Sequence, residues 1–158
     1  MLNEILITSQ HSMSLLSSSA GDIQVLTRED FARLNAHSIQ EVLETIPSID
    51  IIDKGTPGSQ MDIRIGGSSI EGVLVLINGI RVHDPQTGHF TMDIPVNLSS
   101  VERIEVLSGG GSSLYGSSTS GGLINIVTKK ESEGIVGGLS IGSYGSADID
   151  MSFARQLS

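Results

Sequence analysis

The side chains with the clearest chemical potential lie on a stretch without periodicity, His83 to Asn97, which holds Pro85, Gly88 and Pro95. There His83, Asp84 and His89 could together ligate a metal, because imidazole and carboxylate are ordinary zinc and iron ligands. Their spacing matches no established metal site, and histidine on a surface loop is the commoner case. Contact with a ligand through this long loop is therefore expected ahead of metal chemistry.

Other motifs point away from catalysis. Gly111 to Gly116, after the apolar run Ile104–Leu107, has the spacing of a phosphate-binding loop. Ser117, however, stands where the lysine that reaches the β and γ phosphates is required, so glycines for tight turns are the expected reading. No serine sits in a Gly-x-Ser-x-Gly elbow, which leaves a hydrolase nucleophile without support. There is no cysteine, so disulfides and thiolate metal sites are excluded. With Lys+Arg 9 against Asp+Glu 18, the formal charge of -9 opposes binding to a phosphate backbone, and no nucleic-acid partner is expected.

A further set of polar residues is unusual by position. Arg64, Arg81, Arg103, Glu71, Glu102 and Glu105 lie in or beside β-prone runs. By the period of two, Arg103 and Glu105 share one strand face while Ile104 and Val106 take the other. That charged face is either solvated or set against another polar surface, such as the inside of a barrel. Composition alone does not choose.

The elements that must position these residues follow from local pattern. The 158 residues fit one domain, or one domain plus a fragment of another, and with aromatics at 3% the core must come from Ile, Leu and Val. Residues 1–21, rich in Ser and carrying the short apolar run Ile5-Leu6-Ile7, read as a mobile arm with a sticky segment. Met1 to Gln10 lacks the basic and long apolar regions of a signal peptide, so a cytosolic protein or a leader removed before numbering is expected. No run of about 18 apolar residues exists to form a transmembrane helix. A strand over Ile23–Leu26 then meets Thr27, whose hydroxyl can cap a short helix through Leu34, with Glu29 and Asp30 in its first turn. Ser38 and Glu41 form a capping box, and Ile39, Val42, Leu43 and Ile46 share one face of a second helix that Pro47 ends.

From Ser48 onward, β-branched runs separated by Gly, Ser and Pro predict a small mixed sheet from Ile49–Ile52, Met61–Ile65, Val73–Ile77, Ile80–Val82, Ile104–Leu107 and Leu123–Val127. Asn78-Gly79 predicts a type I′ hairpin turn, which needs positive φ at both central positions. The fold class is α+β, a small mixed sheet with two short helices. After Lys130, Ile135, Leu139 and Ile141, then Ala147, Ile149, Met151 and Phe153, alternate with small or polar residues over two strands of about ten residues. Such a pair suits either a membrane-barrel wall or an ordinary hairpin on a soluble core.

Seven segments in order now carry a family likeness: Ser38 to Leu43, Ile46 to Asp50, Ile63 to Gly66, Val73 to Val82, Val101 to Val106, Ser113 to Ser117 and Gly121 to Lys129. Over roughly residues 22–130 the chain resembles the plug domain of TonB-dependent outer-membrane receptors. The resemblance implies a flexible arm over 1–21, a plug over 22–130 and the start of a β-barrel over 131–158. It also implies location in the outer membrane, a gating role without enzymatic activity and no cofactor. Its implied partners are the periplasmic domain of TonB, the chain's own C-terminal barrel and a small substrate such as cobalamin or a metal-siderophore.

Asn3 to Thr8 resembles a TonB box, with Glu4, Ile5, Leu6, Ile7 and Thr8 as the contacting residues, and an exposed β-prone hexamer on a tether suits strand addition to a partner sheet. His83, Asp84, Gln86, Thr87, His89 and Phe90 fall on a loop similar to the apical loop of cobalamin-receptor-like members, which places cobalamin ahead of an iron chelate. Arg64, Arg81, Arg103 and Glu105 are implied plug-to-barrel contacts. Where the family usually has Arg-Gly-Pro, this chain has Ser108-Gly109-Gly110, so one such charge is missing. A complete receptor needs about twenty further strands, so the chain is expected to be a plug with a remnant of barrel. The rival reading is a free-standing soluble binding or adhesion module whose final hairpin joins its own core.

Overall fold

The computed structural model describes residues 22–53, 61–82, 94, 96–109, 119–129, 134–141 and 147–154. The arm, the loop carrying His83 to Phe90, and Gly111 to Gly116 lie outside the described residues. Two units are distinguished, Met1–Thr128 and Lys129–Ser158.

In the first unit, β1 (Asp22–Thr27) runs into α1 (Arg28–Leu34). The junction is a polar exchange: the Asp30 carboxylate accepts from the Thr27 backbone N–H at 2.8 Å and from its hydroxyl at 2.9 Å. This is the return half of a capping box, and it satisfies a donor that a helix start otherwise leaves orphaned. Asn35 closes α1 in the left-handed region at φ 51, as its short amide side chain tolerates. α2 (Ile39–Glu44) begins as expected, with Ser38 Oγ accepting from the Glu41 N–H at 3.1 Å. The Glu41 carboxylate reaches back one residue further than in the usual box, to the His37 N–H at 2.7 Å. α2 stops at Glu44, ahead of Pro47, because the Thr45 hydroxyl donates to the Val42 carbonyl and draws the last turn closed.

The strands β2 (Ile49–Asp53), β3 (Met61–Ile65), β4 (Val73–Ile77), β5 (Ile80–Arg81), β6 (Val101–Ser108) and β7 (Gly122–Thr128) fall where the sequence predicts them, with β6 three residues longer at its start. Their grouping differs from expectation. Five strands form one sheet in the order β1-β6-β7-β4-β5, in which β4 and β7 are parallel and the other pairs antiparallel. β2 and β3 make a separate antiparallel pair. The reason is burial: Ile49, Ile63 and Ile65 pack into the core that also takes Phe31, Ile39, Val42, Leu43 and Ile46 from the helices. The second pair covers the larger sheet rather than extending it.

That core rests on Val73, Val75, Ile104, Val106, Ile124 and Ile126, which line one face of the five-stranded sheet. On the opposite face Leu74, Leu76, Leu107 and Leu123 form a second buried cluster. Burial on both faces explains why β4 reads as a continuous apolar run and β7 as one broken by Asn125. β6 and β7 also approach too closely for a side chain at Gly122, where φ is 153 and a Cβ would strike the Leu107 carbonyl oxygen.

The second unit is a hairpin of β8 (Gly134–Ile141) and β9 (Ala147–Ala154). Its register sets Gly137 opposite Met151 and Leu139 opposite Ile149, so Leu139, Ile149 and Met151 share one face. Leu139, Ile149 and Met151 are 67%, 70% and 78% exposed.

Candidate functional site

Two of the charged strand residues meet in the five-stranded sheet. Arg103 and Glu105 do share a face of β6, and Arg103 Nε donates to Glu105 Oε1 at 2.7 Å. Glu105 is only 5% exposed, so at this point the face is not a solvated one. Its other oxygen accepts from Asn125 Nδ2 at 2.9 Å, across the register pair that joins β6 to β7. Asn125 Oδ1 in turn accepts from the Gly79 N–H at 3.0 Å. The chain of bonds thus runs from β6 through β7 into the turn between β4 and β5.

The turn is anchored a second time. Asn78 Nδ2 donates to Thr128 Oγ1 at 2.8 Å, and Asn78 Oδ1 accepts from the Thr128 N–H at 2.9 Å. The Asn78 N–H donates to the Ile126 carbonyl at 2.9 Å, so the turn continues the parallel pairing of β4 with β7. Asn78 and Gly79 have φ 52 and 80, as the predicted type I′ turn requires. Satisfying both oxygens of a buried carboxylate with a guanidinium and an amide offsets its desolvation, which an unpaired charge could not withstand.

The other two expected contacts stand elsewhere. Arg81 is exposed on β5, opposite Leu76, about 14 Å from β6 at the usual strand spacing. Arg64 lies on β3, opposite Asp50 in the separate pair, and its buried Nε has no hydrogen-bond partner among the described residues. Only Arg103 and Glu105 are brought together. Among the described residues no group of His, Cys, Asp or Glu could hold a metal ion. The residues expected to meet substrate and to meet TonB lie outside the described residues.

Asn125 and Thr128 belong to this arrangement although sequence reasoning passed over them, and Asn78, expected as a turn residue, joins it through its side chain. The available signal was Asn125 itself, a single amide interrupting the apolar run Leu123 to Val127. An amide in a central strand, even a half-buried one, needs a polar partner. Asp62, by contrast, is fully buried on β3, at a position where alternation suggested nothing unusual.

A family model described as the TonB-dependent receptor plug domain matches residues 16–123. Among solved structures, the unliganded ferric citrate transporter FecA is 32% identical, with a TM-score of 0.58 over 75% of this chain and 19% of its own. The siderophore receptor PirA from Acinetobacter baumannii is 26% identical, with a TM-score of 0.60 over 79% of this chain and 19% of its own. FpvAI, solved in complex with pyocin S2, shares the fold at 24% identity and a TM-score of 0.66, over 86% and 18%. The chain spans about a fifth of the length of each of these proteins. Two short helices on a mixed sheet, and a family match across more than half its length, lead to one conclusion: this chain belongs to the plug-domain family of TonB-dependent receptors.

Proposed function

We propose that the chain is the gate and substrate-sensing element of an outer-membrane active transporter powered by TonB, with an iron chelate as its cargo. The observation that carries the reading is the family match over residues 16–123. The similarity to a ferric citrate transporter and a siderophore receptor favours an iron chelate over the cobalamin that the loop's likeness suggests. The role is not enzymatic. In this reading residues 1–21 are a tether, 22–130 the plug and 131–158 the first barrel strands.

Substrate meets the loop of His83, Asp84, Gln86, Thr87, His89 and Phe90, Glu4 to Thr8 engage TonB, and Arg64, Arg81, Arg103 and Glu105 face the barrel. Arg103 spends its Nε on Glu105, which leaves the two terminal nitrogens of the guanidinium to meet a barrel carboxylate. Signalling then needs only that substrate bind two states of the plug with different affinity, since a ligand shifts an equilibrium by no more than that difference.

The test uses a full-length receptor carrying these residues. Deleting residues 4–8 is expected to abolish uptake of radiolabelled ferric citrate or ferric siderophore while leaving surface binding of the same chelate intact. Uptake that survives the deletion would remove the role given to the arm. Failure to bind any ferric chelate, with cobalamin bound instead, would reverse the choice of cargo.

A further inference from the structure

Asn78-Gly79 is the one Asn-Gly pair in the chain, and both residues are exposed to water. Such a pair carries chemistry of its own. With no side chain on the glycine to obstruct it, the Gly79 backbone nitrogen can attack the carbonyl carbon of the Asn78 side chain. That nitrogen gives up its proton and forms a bond to Cγ, which closes a five-membered succinimide. The Cγ–Nδ2 bond breaks, and Nδ2 leaves as ammonia with the proton. Water then opens the ring at either carbonyl, to aspartate or to isoaspartate. No oxidant and no cofactor is required.

Here both reacting groups are already engaged. The Gly79 N–H donates to Asn125 Oδ1 at 3.0 Å. Asn78 Nδ2 donates to Thr128 Oγ1 at 2.8 Å, and Asn78 Oδ1 accepts from the Thr128 N–H at 2.9 Å and from its hydroxyl at 3.3 Å. The Asn78 N–H is held as well, by the Ile126 carbonyl at 2.9 Å. A bond-forming step needs its atoms aligned as well as near, and alignment in this turn requires some of these bonds to break. We infer that Asn78 is a latent deamidation site, and that Asn125 and Thr128 slow its reaction by holding nucleophile and electrophile on separate residues of β7. The two products differ in what they leave behind. Aspartate keeps two acceptor oxygens for the Thr128 N–H and hydroxyl, and Asp-Gly also suits a type I′ turn. Isoaspartate carries the backbone through the former side chain and adds a methylene to a two-residue turn. The Gly79 N–H then cannot keep Asn125 while the Asn78 N–H keeps Ile126. Because Asn125 also donates to Glu105 Oε2, that lesion reaches from the turn to the Arg103–Glu105 pair.

The test incubates the full 158-residue chain at mildly alkaline pH, which favours loss of the peptide proton, both folded in buffer and unfolded in urea. Aspartate and isoaspartate at position 78 are followed by peptide mapping. The folded chain is expected to deamidate at least about tenfold more slowly than the unfolded one. Thr128→Val removes the hydroxyl, and Asn125→Leu removes the acceptor of the Gly79 N–H; each should speed the reaction in the folded chain, and Thr128→Ser should restore the slow rate. Val42→Ala opens a cavity in the core beneath α2 and controls for lost stability alone, so it should leave the rate unchanged. Equal rates in the folded and unfolded wild-type chain would overturn the inference. So would an unchanged rate in both Thr128→Val and Asn125→Leu, or an acceleration by Val42→Ala as large as theirs, since global unfolding would then carry the chemistry. The wild-type comparison needs no substitution and decides the matter even where a variant fails to fold.

Discussion

Glu105 shows most directly what a single side chain contributes to this sheet. Its carboxylate holds Arg103 on its own strand and Asn125 on the next, and Asn125 holds the backbone of Gly79 beyond it. Glu105→Ala removes the acceptor from both donors and leaves the Arg103 cation, 19% exposed at its side chain, without its carboxylate. Hydrogen bonds to charged groups are worth about 1.5–3 kcal/mol each in net terms, so a loss of about that size or more is expected in urea unfolding. Asn125→Leu is the informative companion. It keeps the apolar character of β7 but strips Glu105 of one partner and Gly79 of its acceptor, and it should cost about 1–3 kcal/mol although it raises hydrophobicity. A stabilising Asn125→Leu would show that the amide contributes nothing to the fold.

Gly79→Val tests the turn at the same scale. Beyond the adjoining residues no atom lies within 4 Å of where a Cβ at Gly79 would stand, so crowding is not the issue. The cost comes from holding a β-branched residue at φ 80, about 1–3 kcal/mol. A change below about 0.5 kcal/mol, typical of an indifferent surface site, would be incompatible with the observed turn.

At the level of elements, the start of α1 carries a pH signature. The Thr27 backbone N–H, then its hydroxyl, and more weakly the Arg33 guanidinium hold the Asp30 carboxyl below its ordinary value of 3.8. Asp30 is therefore more strongly ionised in the folded chain than in the unfolded one. Its contribution is complete above the unfolded value and is lost as pH falls through the lower folded value. Asp30→Asn should lower stability at neutral pH and remove that part of the acid dependence, so the wild-type and variant unfolding curves should converge in strong acid. Persistently parallel curves from neutral pH into strong acid would mean that the cap does not titrate with folding.

The same junction shows what a sequence can reveal of this fold. Ser38 with Glu41, Thr27 with Asp30, and Asn78 with Gly79 act over four residues or fewer, so residue identity alone nearly determines their geometry. The division of the strands into five and two depends on which apolar runs meet in the core. Ile49–Ile52 and Leu123–Val127 look alike as strings, and only the packing of Ile49, Ile63 and Ile65 against the helices separates them. The Glu105–Asn125 pair was hidden for a related reason. Arg103 and Glu105 could be placed on one face from their spacing, but the partner lies twenty residues on, and its identity depends on the register between β6 and β7.

At the scale of the whole chain, the two units pose opposite problems in water. The first buries Leu74, Leu76, Leu107 and Leu123 on one face of its sheet and a larger set of residues on the other. The second is a two-stranded hairpin that exposes Leu139, Ile149 and Met151 on a common face. A hairpin alone is marginally stable, and apolar strands with unpaired edges seek further strands. In a barrel wall the same face would meet lipid and both edges would be paired, an environment in which exposed leucine and isoleucine are an asset rather than a liability. The 158-residue chain in detergent-free buffer is therefore expected to self-associate through residues 134–154, whereas a chain ending at Lys130 should remain monomeric. Light scattering of the two at equal concentration measures this, and Leu139→Asp with Ile149→Asp in the longer chain should restore the monomer. Should both lengths scatter alike as monomers and unfold at the same urea concentration, the hairpin would be neither adhesive nor part of the first unit's core, and the barrel-wall reading of residues 131–158 would lose its physical basis.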